Sequence, residues 1–175
     1  HPNATPIALD IFDESQRKTV IQKADIVISM LPAHLHIEVA KDCILYKKHL
    51  VTASYISDAM QGLDEAAKKN NLIFMNEIGL DPGIDHMSAM QLINNIHQEG
   101  GTIHSFKSHC GGLVAPESDD NPWHYKISWN PRNIVLAGKS GAHYREDGEE
   151  KNTAYQDLFS IPHRVQVPGL EPLGW

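Results

Sequence analysis

The chain has 175 residues, 41% hydrophobic and 21% charged, with a net charge of −7; that length suits one domain or parts of two. An acidic balance disfavours non-specific nucleic-acid binding, which rests on basic patches, and no apolar run approaches the roughly 20 residues of a membrane-spanning helix. Cys43 and Cys110 lie far apart and outside any C-x-x-C pattern, so neither a disulfide framework nor a zinc ribbon is expected and a reducing cytoplasm is the default compartment.

Ile7 to Asp10 reads as a short apolar strand after a Pro- and Asn-containing lead. Asp13 or Ser15 can cap a helix running to Ala24, with acids at its positive end. Asp25 to Leu31 is a continuous β-branched run, the pattern of a strand buried on both faces, and Pro32 ends it. His34 to Lys48 has near-helical apolar spacing at Leu35, Val39, Ile44 and Leu45. His49 to Ala53 is a third strand, closed by Ser54-Tyr55-Ile56-Ser57, and Ser57 caps a helix carrying Met60, Leu63, Ala66 and Ala67. Leu72 to Met75 is the fourth strand. Asn76 to His86 then forms a turn of two glycines, a proline and three acids before a helix from about Ile84 to His97, which Gly100-Gly101 closes.

Beyond that helix the texture changes. Thr102 to Cys110 alternates like a strand, Gly111 to Pro122 is a long polar loop of the kind that often carries function, Trp123 to Trp129 reads as another strand, and Pro131 starts a short helix ended by Gly138. Both chain ends look cut, so a piece of a longer protein is expected.

Strands alternating with helices imply right-handed crossovers and a parallel sheet. The expected fold class is α/β: residues 1–82 as the C-terminal half of a Rossmann-like dinucleotide-binding domain, and 83–175 as part of an α+β domain for substrate binding or dimerisation. Three strand ends, at Leu31-Pro32, Ser54-Tyr55 and Asn76 to Asp81, then face one edge, where open α/β sheets bind ligands. No G-x-G-x-x-G occurs, so the phosphate-cradling turn of such a fold is expected before His1. Gly138-Lys139-Ser140 lacks the glycine a phosphate loop needs, since Asn133 holds that position.

Within the turn, Gly79 and Gly83 permit unusual backbone angles and Pro82 fixes φ, so Asp81 is presented from a stiff loop. Turn former and ligand contact both remain open for Asp81, while Asp85 fits a helix cap better than an acid–base partner. Glu77 suits a hydroxyl or ammonium contact as well as a solvated loop acid, and His86 reads first as a surface histidine near the same edge. Tyr55 could bond a ligand carboxylate, or be a half-buried aromatic with a wet hydroxyl. Cys110, between a histidine and two glycines, invites a nucleophile reading, although a small buried contact is the commoner fate. The histidine pairs lack metal-ligand spacing, so no metal is expected.

The segments Asp25 to Pro32, Val51 to Ile56, Met75 to His86, and Cys110-Gly111-Gly112 running to Pro116-Glu117-Ser118 and Pro122 closely resemble saccharopine dehydrogenase of the glutamate-forming type, over nearly the whole chain. The resemblance implies an NADP-linked oxidoreductase of lysine metabolism that interconverts saccharopine with glutamate and aminoadipate semialdehyde. By the same likeness, Leu31, Pro32, Leu80, Asp81 and Pro82 contact the cofactor, and Tyr55, Ile56, Asp81 and Trp129 contact the substrate. Asp81 and Cys110 are the catalytic candidates, with Asp81 first choice for the polar group near the reacting nitrogen. NADP rather than NAD is inherited from the family, because the strand tip that separates them lies outside the sequence. The arginine expected to clamp a substrate carboxylate also lies outside it, after its last residues. A related reductase joining a diamine to a semialdehyde is one rival reading, and a non-catalytic nucleotide-sensing module is another. Small molecules are the expected partners, with a homodimer through the second domain as a further expectation.

Overall fold

A computed structural model describes residues 2–112, 114–122, 124–126, 138–139, 141–158 and 160. They fall into two compact units, His1–Cys110 and Gly111–Trp175. The first opens with α1 (Glu14–Lys23), then β1 (Ile26–Ser29), a 3-10 turn (Ala33–Leu35), α2 (His36–Tyr46), β2 (His49–Thr52), α3 (Asp58–Gln61), α4 (Asp64–Lys69), β3 (Phe74–Met75) and α5 (Ile84–Gln98). The strands form one parallel sheet in the order β1-β2-β3, which is the Rossmann-like α/β arrangement expected from the alternating pattern.

Local chemistry accounts for the element ends. The Asp13 carboxylate accepts the Ser15 and Gln16 N–H groups and caps α1, and Ser57 Oγ accepts the Met60 N–H to cap α3. At the far end of α5, Gly100 turns to φ +79 and Gly101 N–H donates to the Ile96 carbonyl, the helix-closing geometry that glycine supplies. The expected fourth strand shortens to two residues. Leu72 N–H still serves the end of α4, donating to the Ala67 carbonyl, and Ile73 N–H donates to the His49 side chain and not to a backbone carbonyl of β2, while the Ile73 carbonyl accepts the Leu50 N–H.

The core lies on one face of the sheet. Ile21, Val39, Ala40, Cys43, Leu50 and Met60 are buried together, with Val27, Leu31 and Phe74 packed against them. The register puts Val27, Leu50 and Phe74 in one row and Ile28, Val51 and Met75 in the next. Alternation sends the second row to the other face. There Ile26, Ile28 and Met75 are 52%, 66% and 46% exposed, so none of the described elements covers the second face that β1's composition leads one to expect buried. Among the described residues, the buried core and the hydrophobics packed against it include Val27, Leu50 and Phe74 of that first row.

Two expected strands do not form. Ile7 to Asp10 has no ladder partner among the described residues. Instead the Asp10 carboxylate and carbonyl accept the Phe12 and Asp13 N–H groups and turn the chain into α1. Thr102 to Cys110 is irregular, and no described strand pairs with it. In the second unit, Pro116–Ser118 is a 3-10 turn within the long loop, and β4 (Ala142–Glu146) pairs antiparallel with β5 (Glu149–Thr153). Of the strand expected over Trp123 to Trp129 only residues 124–126 are described, and they are not in a strand: His124 turns to φ 50 and its N–H donates to the Asn121 carbonyl. The helix begun by Pro131 is described only at Gly138 and Lys139.

A buried ion pair joins the helices. Arg17 Nε donates to Asp42 Oδ2 at 2.6 Å, with both side chains under 9% exposed, and Arg17 Nη1 donates to the Ile11 carbonyl at 2.8 Å. One guanidinium therefore fixes α1 to α2 and to the turn before α1. Asp42→Ala strands that cation in a dry site and is expected to cost about 3 kcal/mol or more of unfolding free energy, whereas Arg17→Met with Asp42→Leu should restore most of it. Urea denaturation of the three proteins checks this, and a loss below about 1 kcal/mol for Asp42→Ala would mean that water reaches the pair.

Candidate active site

Parallel pairing makes β1, β2 and β3 end on the same edge at Ser29, Thr52 and Met75. Hydrogen bonds then lace the loops after β2 and β3 together. Glu77 N–H donates to the Ser54 carbonyl at 3.1 Å and Ile78 N–H to the Thr52 carbonyl at 3.2 Å. The Glu77 carboxylate accepts the Ile56 N–H at 3.1 Å, with Glu77 itself in the left-handed region at φ 61. The carboxylate that sequence reasoning left open between ligand contact and solvated acid holds the Tyr55-Ile56 loop against the loop after β3.

The Gly79 to Asp85 segment closes on itself. Gly79 N–H donates to the Pro82 carbonyl at 2.8 Å, Ile84 N–H to the Gly79 carbonyl at 2.9 Å, and Asp85 N–H to the Leu80 carbonyl at 3.1 Å. Gly83 sits at φ +146, and a Cβ there would lie 2.3 Å from the Gly79 carbonyl oxygen. A Cβ on Gly79 would come within 3.1 Å of the Ala53 Cβ. Close approach thus favours glycine at both positions, and at Gly83 the backbone angle requires it as well. Pro82 and Gly83 are buried, while Leu80 and Asp81 are left exposed at the tip. The Asp81-Pro82 peptide is cis.

Asp85 lies inside the first turn of α5 rather than at its N-cap, which is Gly83. Its Oδ1 accepts the Gly83 N–H at 3.0 Å and meets His86 Nδ1 at 2.7 Å. Burial works to raise the Asp85 carboxyl, but the bonds from His86 and Gly83 outweigh it and hold it below the usual carboxylate range. The same hydrogen bond and charge raise His86, with Asp81 and Glu77 adding to the effect. A cleft of about 290 Å³ beside this turn is lined by Glu77, Pro82, Gly83 and His86 among others.

Asp81 is where the candidates meet. Burial raises the Tyr55 hydroxyl, and the negative charges of Asp81, Asp85 and Glu77 raise it further. Burial likewise raises the Cys110 thiol, followed by the charge and hydrogen-bonding reach of Asp81 and then by Asp85. The Asp81 charge therefore acts on both groups and, after burial, adds to what disfavours their deprotonation. A carboxylate flanked by a phenol and a thiol offers one charged acceptor and two donors. No group of three or more His, Cys, Asp or Glu side chains that could hold a metal ion occurs among the described residues.

Ile56 is exposed next to Tyr55 at this edge, and Pro32 is exposed at the start of its own 3-10 turn, while Leu31 is half-buried against the core. Trp129 lies outside the described residues. Sequence reasoning missed His36, which is 3% exposed. Its Nδ1 is 2.8 Å from Ser29 Oγ, and its Nε2 is 2.8 Å from Ser54 Oγ and 3.0 Å from Thr52 Oγ1. The available signal was a polar residue at each strand tip, Ser29 and Thr52, with a histidine opening the helix between those strands.

Two family models cover the chain: the saccharopine dehydrogenase NADP binding domain matches residues 1–75, and the saccharopine dehydrogenase C-terminal domain matches residues 79–173. A saccharopine dehydrogenase [NADP(+), L-glutamate-forming] of Pyricularia oryzae is 48% identical over 158 residues, which is 90% of this chain and 35% of that protein. A mitochondrial alpha-aminoadipic semialdehyde synthase of Mus musculus is 38% identical over 176 residues, 99% of this chain and 19% of that protein. The apo histidine-tagged saccharopine dehydrogenase (L-Glu forming) from Saccharomyces cerevisiae matches with a TM-score of 0.76 at 43% identity, covering 93% of this chain and 37% of that one. The chain spans about a third of the length of these fungal proteins or less of the longer synthase.

The geometry sets two expectations. Gly83→Ala forces a Cβ into the Gly79 backbone at a strained angle and should cost about 2–4 kcal/mol, read as a lowered Tm; an unchanged Tm would mean the ring opens freely. Asp81→Asn removes the charge that opposes the Cys110 thiolate, so alkylation of Cys110 by iodoacetamide at pH 8 should speed up. Cys43 is buried with its thiol pushed up to about 12 and does not compete. A slower or equal rate would separate Cys110 from Asp81.

Proposed function

The chain belongs to the saccharopine dehydrogenase family, and on that premise we propose that the protein it comes from interconverts saccharopine with L-glutamate and aminoadipate semialdehyde, using NADP(H), in lysine metabolism. The observation that carries this reading is the meeting of Asp81, Tyr55 and Cys110 at the joint tip of three parallel strands. Residues 1–82 then serve the dinucleotide and 83–175 the substrate.

The residues present suit the nicotinamide end of such a cofactor. Half-buried Leu31, exposed Pro32 and exposed Leu80 put apolar surface at the carboxyl edge, next to a closed backbone ring that Gly79 and Gly83 keep thin. Leu31, Pro32, Leu80, Asp81 and Pro82 would hold that end. The bound cofactor would supply hydride transfer, chemistry that no side chain offers.

The chain's own part is positioning and proton handling. An amine joining an aldehyde passes through a carbinolamine and a cationic imine, and both steps move protons at the nitrogen. The Asp81 carboxylate would stabilise the positive charge developing there. Tyr55 and Cys110, the latter exposed and not the small buried contact its sequence context favoured, would donate to the leaving oxygen or to a substrate carboxylate, with Asp81 helping to disfavour their deprotonation. Tyr55 and Ile56, with Trp129, would line the substrate. The two free thiols support a reducing compartment, and cell fractionation decides between cytoplasm and an organelle such as the one named for the mouse relative. No described helix is long and apolar enough to cross a membrane.

NADPH oxidation by the full-length protein tests the reading, with aminoadipate semialdehyde and either glutamate or a diamine. Turnover with glutamate alone is expected; turnover with the diamine would move the protein to the polyamine-forming reductases. Asp81→Asn should lower kcat by about 10²–10³-fold, and an unchanged kcat would remove Asp81 from the chemistry.

A further inference from the structure

His36 opens α2 beneath the site and is buried there, yet none of the chemistry assigned to Asp81, Tyr55 and Cys110 uses it. Its partners are not random hydroxyls. Ser29 and Thr52 are opposite each other in the last rung of the β1–β2 ladder, and both are nearly fully buried. Ser54 begins the loop that carries Tyr55 and Ile56, and its carbonyl accepts the Glu77 N–H from the loop after β3. The Ser29–His36 contact closes the base of the loop that carries Leu31 and Pro32, which is braced within by the Leu35 N–H donating to the Pro32 carbonyl at 2.9 Å.

We propose that His36 is a positioning residue of this site, its Nδ1 edge fixing the Leu31-Pro32 loop through Ser29 and its Nε2 edge fixing the Tyr55-Ile56 loop through Thr52 and Ser54. The role in catalysis rests on the function proposed above; the clamp itself rests on the hydrogen bonds. A neutral imidazole has one donor and one acceptor on opposite edges of a rigid ring, and hydroxyls rotate to answer either tautomer. Burial among these groups, with His34 nearby, lowers the imidazole's proton affinity and keeps it in that neutral form. The distance between the two loops is thereby set by the width of one ring. A cofactor held by the first loop and a substrate held by the second would be separated by that same width, and reacting groups tolerate little error in spacing.

The two edges can be cut separately. An asparagine amide reaches roughly where Nδ1 lies and a glutamine amide roughly where Nε2 lies. In the full-length protein, His36→Asn should keep the Ser29 bond and speed amide exchange about tenfold in Ser54, Tyr55 and Ile56, leaving Ala33, His34 and Leu35 unchanged. His36→Gln should do the reverse, and so should Ser29→Ala, which cuts the same edge without touching the histidine. In kinetics, His36→Asn should raise KM for the amino-acid substrates, and His36→Gln and Ser29→Ala should raise KM for NADPH, each with the other KM within about twofold. A merely structural histidine would lower Tm and the active fraction while moving exchange in both loops alike. Such uniform exchange, or no change in either loop, overturns the proposal. If the wild type turns over no saccharopine-type substrate, the function reading fails, while the exchange pattern still decides for or against the clamp.

Discussion

A parallel ladder leaves its strands' last carbonyls and following loops on one edge, and here the last full rung, Ser29 opposite Thr52, is made of two buried hydroxyl residues. Hydroxyls inside a sheet need partners, since a buried unpaired polar group costs about 1–3 kcal/mol. The partner they share is His36, and no buried side-chain nitrogen or oxygen among the described residues lacks one. Everything above the rung inherits this arrangement. Ser54 reaches the same imidazole, Glu77 reaches Ser54 and Ile56, and the glycine ring begins two residues after Glu77. Asp81 is thus positioned by backbone and buried side chains below it.

Much of this was legible in the sequence. Alternating apolar runs and helical spacings gave three parallel strands and their helices, and Asp13, Ser57 and Gly100 behaved as capping chemistry says they should. The Gly-Leu-Asp-Pro-Gly turn identified the loop that bears Asp81. What failed were inferences about partners. A run such as Ile26-Val27-Ile28 states that a strand is apolar, but not which of its faces a helix covers. Ile7 to Asp10 and Thr102 to Cys110 have strand-like composition, yet a strand exists only where a neighbour supplies the other half of its hydrogen bonds. The Arg17–Asp42 pair and the His36 clamp were invisible for the same reason, since they join residues 25, 7, 16 and 18 positions apart.

The electrostatics of the edge are lopsided. Glu77, Asp81 and Asp85 sit within one short turn, and their combined field raises Tyr55 and His86 and reaches Cys110 through Asp81 and Asp85. Two of the three acids are bonded to the frame itself: Glu77 holds the Ile56 N–H, and Asp85 holds the Gly83 N–H and His86. Asp81 alone stands exposed at the tip. Division of labour among neighbouring like charges is what allows one of them to face a ligand while the others secure the frame.

The closed ring from Gly79 to Ile84 bears on how such a protein could diversify. Its ends are bonded to each other, one glycine has no room for a side chain, and the other has almost none. An insertion there would break the ring, and a substitution at either glycine would open it. Latitude lies elsewhere: at exposed Ile56, or in the irregular run from Thr102 to His109, with which no described strand pairs. Descendants of this fold that acquired new substrates would carry their differences in those two segments and keep the two glycines that close the ring.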